Sequence, residues 1–291
     1  MHADAAGTPL RVLITGAAGL VGAHLAAAYR EHQVFALRHR DLDIGDARAV
    51  DETAQRLRPD VIFNCAVIGV DDCEADPALA ERVNVTGPAQ LAAAAERLGA
   101  AMVHFSSNYV FDGGRDDGVP YATEDAAHPI NVYGATKVRG EQAVAAAATR
   151  AFIVRTSWVF GVNKNGFLST VAARLARGER VQAIGDTFAS TTFVRDLVAR
   201  VIEIVARGHA GTYQIVNDGV CSYETFAREA ARIIGLGDDA AQALIEPSTE
   251  ASLSRLAPRP RWTPMRCTLS EQLGLSPMRP WQQALAAFLS E

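Results

Sequence analysis

The sequence predicts an α/β protein with a doubly wound parallel sheet and a smaller C-terminal lobe. From Leu10 to about Phe160, short runs rich in β-branched residues alternate with Ala-rich amphipathic segments, and this alternation is typical of βαβ units. A glycine-rich turn joins the first run to the first amphipathic segment. After Phe160 the pattern changes to longer irregular stretches and a run rich in Pro and Arg, which indicates the smaller lobe.

Five runs are predicted to form the strands of the sheet, and they read RVLIT, QVFAL, DVIFNCAV, AMVHFSS and AFIVRTSWVF. The segments between them have apolar residues at helical spacing. Three of these segments are predicted to be helices, and they read AHLAAAYREH, ALAERVNVTGPAQLAAAAERLG and YGATKVRGEQAVAAAA.

Composition narrows the class of protein. The chain has 291 residues, of which 49% are hydrophobic, and a formal net charge of −5, which argues against nucleic acid or an acidic membrane surface as a partner. The four cysteines are Cys65, Cys73, Cys221 and Cys267. They form no CxxC pair and no Cys/His cluster, so neither a metal site nor a disulfide is indicated. The first ten residues do not resemble a secretory leader, and no stretch approaches the roughly 18 apolar residues of a membrane span. We therefore expect a cytoplasmic protein.

The glycine-rich turn predicts a dinucleotide site. Gly16, Gly19 and Gly22 follow the first strand directly, and glycines there let backbone N–H groups approach a pyrophosphate at the positive end of a helix. A plain tight turn would use the same residues, but the position in the first βα unit favours a dinucleotide. We thus predict a Rossmann-type NAD(P)-binding core over residues 1–160 and a mainly substrate-binding lobe over residues 161–291. The boundary is soft, and the chain can cross it more than once.

The end of the second strand indicates which dinucleotide is bound. An NAD-specific site usually places an acidic residue there, on the ribose 2′-hydroxyl, whereas this chain has Arg38 and Arg40. Two arginines suit a 2′-phosphate. The nearby Asp41 keeps NADH open as an alternative, and a solvated basic turn is the competing interpretation. NADPH is the predicted cofactor.

Asp43 and Ile44 follow a pattern that commonly holds the adenine edge, with one carboxylate accepting from the amino group. A helix N-cap formed by Asp43 or Asp46 explains the same residues equally well.

Tyr133 and Lys137 are predicted to be the catalytic pair. They are four residues apart at the start of a predicted helix, so both side chains emerge on one face. The chain has only two lysines, Lys137 and Lys164, among its 28 lysines and arginines, so a lysine at this spacing indicates a specific role. A compact ammonium can bond the nicotinamide ribose and favour the tyrosinate. Lowering the tyrosine pKa from ~10 to about 7 takes roughly 4 kcal/mol, after which Tyr133 can donate a proton to a substrate oxygen.

A hydroxyl at the end of the preceding strand is expected to complete the site. The run AMVHFSS offers Ser106 and Ser107 at the carboxyl edge of the sheet, where open α/β sheets bind ligands. We choose Ser107 as the hydrogen-bond donor to the substrate carbonyl. Ser106 is the main rival, and capping of the strand end is a third interpretation.

With these residues assembled, the chain resembles the extended short-chain dehydrogenase/reductase family and, within it, the dTDP-4-dehydrorhamnose reductase group. The resemblance covers almost the whole length and is carried by ITGAAGLVG, the NCAV strand end, DPALAERVNVTGPAQLA, FSSNYVFDG, VYGATKVRGE, VRTSWVFG and APRPR. It implies reduction of the 4-keto group of a nucleotide-diphospho-deoxysugar by hydride from NADPH or NADH.

The resemblance also implies binding residues. Besides the glycines and the residues named above, cofactor contacts are implied for Leu20, Val21, Cys65, Ala66, Val67 and Asn84. Substrate contacts are implied for Asn108, Val110, Phe111, Trp158 and Asn165.

Several positions depart from the group's usual pattern. Asn108 replaces an Asp, Val67-Ile68-Gly69 replaces a longer turn, and Asn165-Gly166-Phe167 replaces Asn-Asn-Phe. The stretch 189–192 and Trp262 differ as well. The cofactor and catalytic residues match well and the positions facing the sugar do not, so the reaction type is predicted more firmly than the sugar, the nucleobase or the product stereochemistry.

The C-terminal segment carries a local excess of positive charge. Residues 251–291 contain two acids, Glu271 and Glu291, and five arginines, Arg255, Arg259, Arg261, Arg266 and Arg279. We predict that Arg259 and Arg261 bind the substrate diphosphate while Trp262 or another aromatic residue stacks on the base. A solvated basic loop is the alternative.

Two other functions stay open on the sequence. One is a nucleotide-sugar epimerase or dehydratase on the same scaffold, and the other is a non-catalytic subunit resembling the regulatory β subunit of methionine adenosyltransferase. Some relatives form dimers, sometimes with magnesium, but no residue of this chain establishes a homodimer or a metal. Arg155 is expected either to reach the substrate or to form a buried ion pair.

Overall fold

A computed structural model describes residues 9–291; residues 1–8, which make up most of the segment inspected for a leader, lie outside it. The strands of the described chain are Arg11–Thr15 (β1), Gln33–Leu37 (β2), Val61–Asn64 (β3), Ala101–Ser107 (β4), Ala151–Thr156 (β5), Val159–Phe160 (β6), Val181–Ile184 (β7), Phe188–Ala189 (β8), Thr192–Phe193 (β9), Gly211–Gln214 (β10), Ile245–Ser248 (β11) and Trp262–Thr263 (β12).

The α-helices are Leu20–Ala28 (α1), Ala47–Leu57 (α2), Val70–Ala75 (α3), Pro77–Glu81 (α4), Gly87–Leu98 (α5), Val132–Ala147 (α6), Phe167–Ala176 (α7), Val194–Arg207 (α8), Tyr223–Ile233 (α9), Asp238–Leu244 (α10), Thr268–Gln272 (α11) and Trp281–Leu289 (α12). A π-helical turn, Arg82–Thr86, lies between α4 and α5. Two 3₁₀ turns cover Asn108–Val110 and Glu250–Ser252.

The central sheet has six parallel strands in the order β10-β5-β4-β3-β1-β2. β1 lies between β2 and β3, so the strand order reverses beside it and leaves a crevice at the carboxyl ends. Thr15 is in register with Asn64, and Ser107 is in register with Thr156. The predicted doubly wound parallel sheet is therefore confirmed, and its carboxyl edge brings together the ends of the strands that carry the predicted site.

Each face of the sheet is covered by its own hydrophobic cluster. Phe63 of β3 packs with Leu25 and Val201 on one face, whereas the adjacent Ile62 packs with Leu91 and Val144 on the other. Successive side chains of a strand point to opposite faces, so a strand buried on both faces must be apolar throughout. This explains the continuous apolar run in β3.

The last predicted strand, AFIVRTSWVF, is wrong as a single element. The structure divides it into β5, in the central sheet, and β6, which pairs with β9 in a separate two-stranded sheet. The break lies at Trp158, whose φ of 41° is in the left-handed region. A non-glycine residue there cannot continue a strand, so the chain leaves the sheet at this point.

The chain returns to the central sheet after residue 160. β10 pairs with β5, and α8 packs against α1. The short two-stranded sheets β7–β11, β8–β12 and β6–β9 belong to the C-terminal half. A division into two functional lobes at residue 160 stays a prediction.

Candidate active site

The glycine turn lies against the end of β3. Gly16 has a φ of 66°, and a Cβ atom there would lie 2.5 Å from the backbone nitrogen of Ala66. Helix α1 begins after Gly19 without a capping side chain. The N–H groups of its first turn therefore have no partner within the helix, which is the arrangement that binds a pyrophosphate. The turn fits a dinucleotide.

The residues after β3 line the same crevice. Cys65 and Ala66 are partly buried beside Gly16, and Val67 is exposed. The Asn64 side chain is fixed by Thr15, whose hydroxyl donates to its Oδ1 at 2.8 Å. Contact of Cys65, Ala66 and Val67 with a cofactor stays a prediction, as it does for Leu20 and Val21 at the start of α1.

Both arginines after β2 are exposed. The carboxylate of Asp41 is engaged within its own turn, because its Oδ2 accepts from the Arg38 backbone N–H at 2.9 Å and its Oδ1 lies 3.7 Å from Arg40 Nε. The acid that would favour NADH is thus partly neutralised by the turn.

Asp43 and Ile44 have structural partners. Asp43 Oδ2 pairs with Arg82 at 2.9 Å and Oδ1 accepts from Gly45 N–H at 2.9 Å, and Ile44 is buried against Gly87. The cap of α2 is Asp46, which accepts from two backbone N–H groups of the first turn. This decides the capping alternative, whereas adenine contact by Asp43 and Ile44 stays a prediction.

The N-terminus of α6 carries Tyr133. Asn131 caps this helix, with its Oδ1 accepting from Gly134 N–H at 2.7 Å. A Cβ at Gly134 would lie 2.1 Å from the Tyr109 carbonyl oxygen, so only glycine lets α6 approach this turn so closely. The Tyr109 and Tyr133 rings meet edge to face with centroids 5.9 Å apart.

Lys137 lies one turn further along α6 and is only 2% exposed. Its ammonium donates to the Phe105 carbonyl of β4 at 2.5 Å. Burial lowers the lysine pKa to about 8, and the nearby Glu141 carboxylate acts in the opposite direction. At neutral pH the ammonium form therefore still predominates.

The two serines that end β4 have different partners. Ser106 donates to Glu141 Oε1 at 2.5 Å, so its hydroxyl belongs to a buried polar cluster. The Ser107 hydroxyl lowers the pKa of Tyr133, although burial has the larger effect and raises it to about 12. The geometry supports Ser107 over Ser106 as the active hydroxyl.

Glu141 and Arg155 form a buried ion pair. The Arg155 Nη2 lies 2.7 Å and its Nε 3.0 Å from the two carboxylate oxygens. This is the bidentate arrangement that suits a guanidinium and a carboxylate. Of the two roles considered for Arg155, the structure supports the ion pair.

Asn84 lies in the π-helical turn and is fully buried. Its Oδ1 accepts from the Ile68 N–H at 3.0 Å, and its amide donates to Thr136 at 3.1 Å and to Cys73 Sγ at 3.4 Å. Asn84 therefore joins the loop after β3 to helix α6. Direct contact with a cofactor stays a prediction.

The 3₁₀ turn after β4 is held in place by buried side chains. Asn108 accepts from Ser107 and donates to Thr263 Oγ1 at 2.7 Å. Val110 and Phe111 are fully buried, and Phe111 stacks on Tyr121. Neither side chain is accessible in this structure, and contact of Val110 and Phe111 with a substrate stays a prediction.

An aromatic group lies where the chain leaves the sheet. The rings of Trp158 and Tyr223 have centroids 4.1 Å apart, and Phe167 meets Tyr223 edge to face at 5.4 Å. Left-handed backbone at a residue such as Trp158 is strained and often marks a functional site. Asn165 is exposed on the following loop.

Arg259 and Arg261 differ in their surroundings. The side chain of Arg259 is buried and pairs with Asp71 of α3, with Nη2 and Oδ2 2.7 Å apart. Arg261 is exposed. Trp262 packs on Phe188 and donates from its indole N–H to a backbone carbonyl. Binding of a diphosphate by the two arginines stays a prediction.

The sequence analysis missed Asp71, Asn131 and Glu141. An Asn before an apolar periodic segment is a recognised N-cap pattern, so Asn131 could have been identified. Asp71 and Glu141 have no comparable signal, because their partners are far away in the sequence. Over residues 9–291 the structure shows no group of three or more His, Cys, Asp or Glu that could hold a metal ion, and no described helix is long and apolar enough to cross a bilayer.

Comparisons with known proteins agree with this geometry. A family model described as the RmlD substrate binding domain matches residues 10–291. The dTDP-4-dehydrorhamnose reductase of Mycolicibacterium smegmatis is 38% identical over 94% of this chain and 84% of that protein. A Streptomyces antibioticus protein named a probable dTDP-4,6-dihydroxy-2-methyloxan-3-one 4-ketoreductase is 36% identical over 95% and 93%. The crystal structure of dTDP-4-dehydrorhamnose reductase from Bacillus anthracis in complex with NADP is similar with a TM-score of 0.90, at 30% identity over 97% of this chain and 99% of that one.

The lowered pKa of Lys137 can be measured directly. We expect the ¹³Cε signal of Lys137 in the free protein to titrate near pH 8 instead of near its ordinary 10.5. Between these two pH values the unfolded chain binds more protons at this lysine than the folded chain, so its contribution to the free energy of unfolding becomes more favourable as pH rises.

With only two lysines in the chain, the variant Lys164→Arg leaves a single lysine signal and assigns it. A titration midpoint at the ordinary lysine value in that variant would contradict the burial of an ammonium at this position.

Proposed function

Because this chain belongs to the RmlD substrate binding domain family, we propose that it is an NAD(P)-dependent reductase of the 4-keto group of a nucleotide-diphospho-deoxysugar. The observation that carries the proposal is the convergence of Ser107, Tyr133 and Lys137 at the carboxyl edge of the sheet, beside the glycine turn. The named relatives act on dTDP-linked keto sugars or related dTDP compounds, so a dTDP-linked 4-keto-6-deoxysugar is the first substrate to test.

The residues of the site can divide the work of ketone reduction. The cofactor supplies the hydride when it is bound. Tyr133 donates a proton to the carbonyl oxygen, and its pKa of about 12 keeps it protonated at neutral pH. The Ser107 hydroxyl, which donates to Asn108 in the free protein, turns to donate its one hydrogen to the same oxygen, where negative charge develops. Lys137 provides a buried positive charge on the same helix face as Tyr133, which favours the tyrosinate that proton transfer leaves behind.

NADPH is the proposed cofactor. The exposed Arg38 and Arg40 can reach a 2′-phosphate, and Asp41 is held within the turn instead of being turned toward a ribose hydroxyl. The similar Bacillus anthracis structure was solved with NADP. We also propose that the enzyme works in the cytoplasm.

A reductase fits better than the two alternatives. An epimerase or dehydratase would regenerate its cofactor in place, whereas the relatives named above are reductases. A purely regulatory subunit would not need the complete set of Ser107, Tyr133 and Lys137.

The proposed function predicts consumption of NADPH in proportion to the ketone reduced. A dTDP-linked 4-keto-6-deoxysugar should be turned over, and the free keto sugar should react poorly because its nucleotide no longer contributes binding energy. The measurement is the loss of NADPH absorbance together with product analysis. Turnover of simple ketones as efficient as that of any nucleotide sugar would refute the assignment, and product formation without net NADPH loss would favour the epimerase or dehydratase.

Tyr133→Phe should lower kcat by roughly 10²–10⁴-fold, because it removes only the proton donor. The affinity for NADPH, measured by fluorescence, should stay near the wild-type value and is the internal control. If the variant keeps a kcat within a few-fold of the wild type, Tyr133 is not the proton donor.

Replacing both Arg38 and Arg40 by Ala should weaken NADPH binding by about 10- to 1000-fold, the range for losing one or two charge-assisted hydrogen bonds. NADH binding should change little, since it has no 2′-phosphate. Dissociation constants for both cofactors test this selectivity. An equal loss for the two would assign the arginines to the shared pyrophosphate or to folding.

A further inference from the structure

The side chain of Asn131 is hydrogen-bonded at both ends. Its Oδ1 accepts from Gly134 N–H at 2.7 Å and so caps helix α6, while its Nδ2 donates to the Pro258 carbonyl at 2.8 Å. The residue is buried. A carboxamide is the group that can accept in one direction and donate in the other, so both bonds depend on asparagine.

This carboxamide connects two backbone segments with proposed roles in the reaction. Tyr133 lies two residues after Asn131, and Arg259 follows Pro258 directly. Tyr133 and Arg259 are therefore joined by a short path in space, although Asn131 and Pro258 are 127 positions apart in the sequence.

Asp71 holds the same segment from the other side. One of its oxygens accepts from the Ala257 N–H at 3.1 Å and the other pairs with Arg259 at 2.7 Å. Arg259 also donates to the Ala257 carbonyl at 2.9 Å. Only 7% of the Arg259 side chain is exposed, against 49% for Asp71. The arginine is thus held in one place, and its partner carboxylate stays accessible.

The hydrogen bond from Asn131 to Pro258 brings the segment that carries Arg259 to the start of helix α6. At this helix start the Tyr109 ring packs edge to face on Tyr133, with centroids 5.9 Å apart. Burial raises the pKa of Tyr109 to about 12, and the positive charge of Arg259 acts in the opposite direction. Tyr133 and Arg259 therefore lie on neighbouring segments.

We propose that Asn131 is a positioning residue that holds Arg259, as the contact for the substrate diphosphate, at a fixed place relative to Tyr133. The proposal rests on the proposed function, because it needs a substrate whose anionic group is remote from its ketone. Holding both ends at once orients the ketone for reaction. Of the two hydrogen bonds of Asn131, the one donated to Pro258 then contributes to substrate binding, whereas the one accepted from Gly134 only stabilises the helix.

The variant Asn131→Asp separates the two bonds. Aspartate is an equally good N-cap, and its charge is favourable at a helix N-terminus, but a carboxylate cannot donate to the Pro258 carbonyl. We expect an NADPH affinity close to the wild type and a lowered melting temperature, because the buried carboxylate would face the Pro258 carbonyl oxygen. The KM for the nucleotide sugar should rise by about tenfold or more, in the range of couplings between contacting residues, with a smaller change in kcat.

Asp46→Asn is the matched control, because it exchanges the same two groups at the exposed N-cap of α2. It should leave the KM for the nucleotide sugar unchanged. A double-mutant cycle gives the sharper test: in an Arg259→Ala background, Asn131→Asp should cause no further rise in KM.

The outcomes distinguish the two claims. If the wild-type chain consumes no NADPH with any nucleotide-linked keto sugar, both the proposed function and this inference fail. If the wild type is active, three results would overturn the inference alone. The first is an unchanged KM in Asn131→Asp, and the second is the same rise in KM when Asn131→Asp is made in the Arg259→Ala background. The third is a loss of NADPH affinity in Asn131→Asp as large as the rise in KM for the nucleotide sugar.

Discussion

The buried ion pair between Glu141 and Arg155 holds helix α6 against the sheet, and the geometry of the candidate site depends on it. Burying two charges costs several kcal/mol per ion unless the pair is well aligned and fully hydrogen-bonded. Here the guanidinium is bidentate, and Ser106 donates to the same carboxylate. Because Glu141 lies one turn after Lys137, its charge also opposes the effect of burial on the lysine pKa. The ion pair therefore both positions helix α6 and places a negative charge near Lys137.

Much of the fold could be predicted because its signals are local. The strands β1, β2 and β4 have the predicted bounds, since a short β-branched run between turn residues has few other conformations. The break at Trp158 could not be predicted, because the residues on both sides of it have high strand propensity and only tertiary contacts turn the backbone there. The return of β10 to the sheet likewise depends on pairing between distant segments.

The candidate site was predictable where spacing along one element decides the geometry. Tyr133 and Lys137 share a helix face, and Ser107 ends the adjacent strand. The sequence could not show the ion pair of Arg259 with Asp71, which joins residues 188 positions apart. The sequence predicts a Tyr133 pKa lowered to about 7, whereas burial raises it to about 12. The sequence could not show this, because desolvation depends on what covers a side chain.

The π-helical turn at Asn84 changes the phase of the helix that contains it. Each residue of an α-helix turns the chain by about 100°, so one additional residue in a turn rotates everything beyond it by that angle relative to a regular helix. The buried faces of α4 and α5 consequently need not lie along the single amphipathic stripe that a regular helix would have. A π turn within an α-helix is a frequent site of function. Insertions and deletions in this stretch are therefore not equivalent to those in a loop: losing one residue would restore a regular helix and turn Asn84 away from the partners it joins.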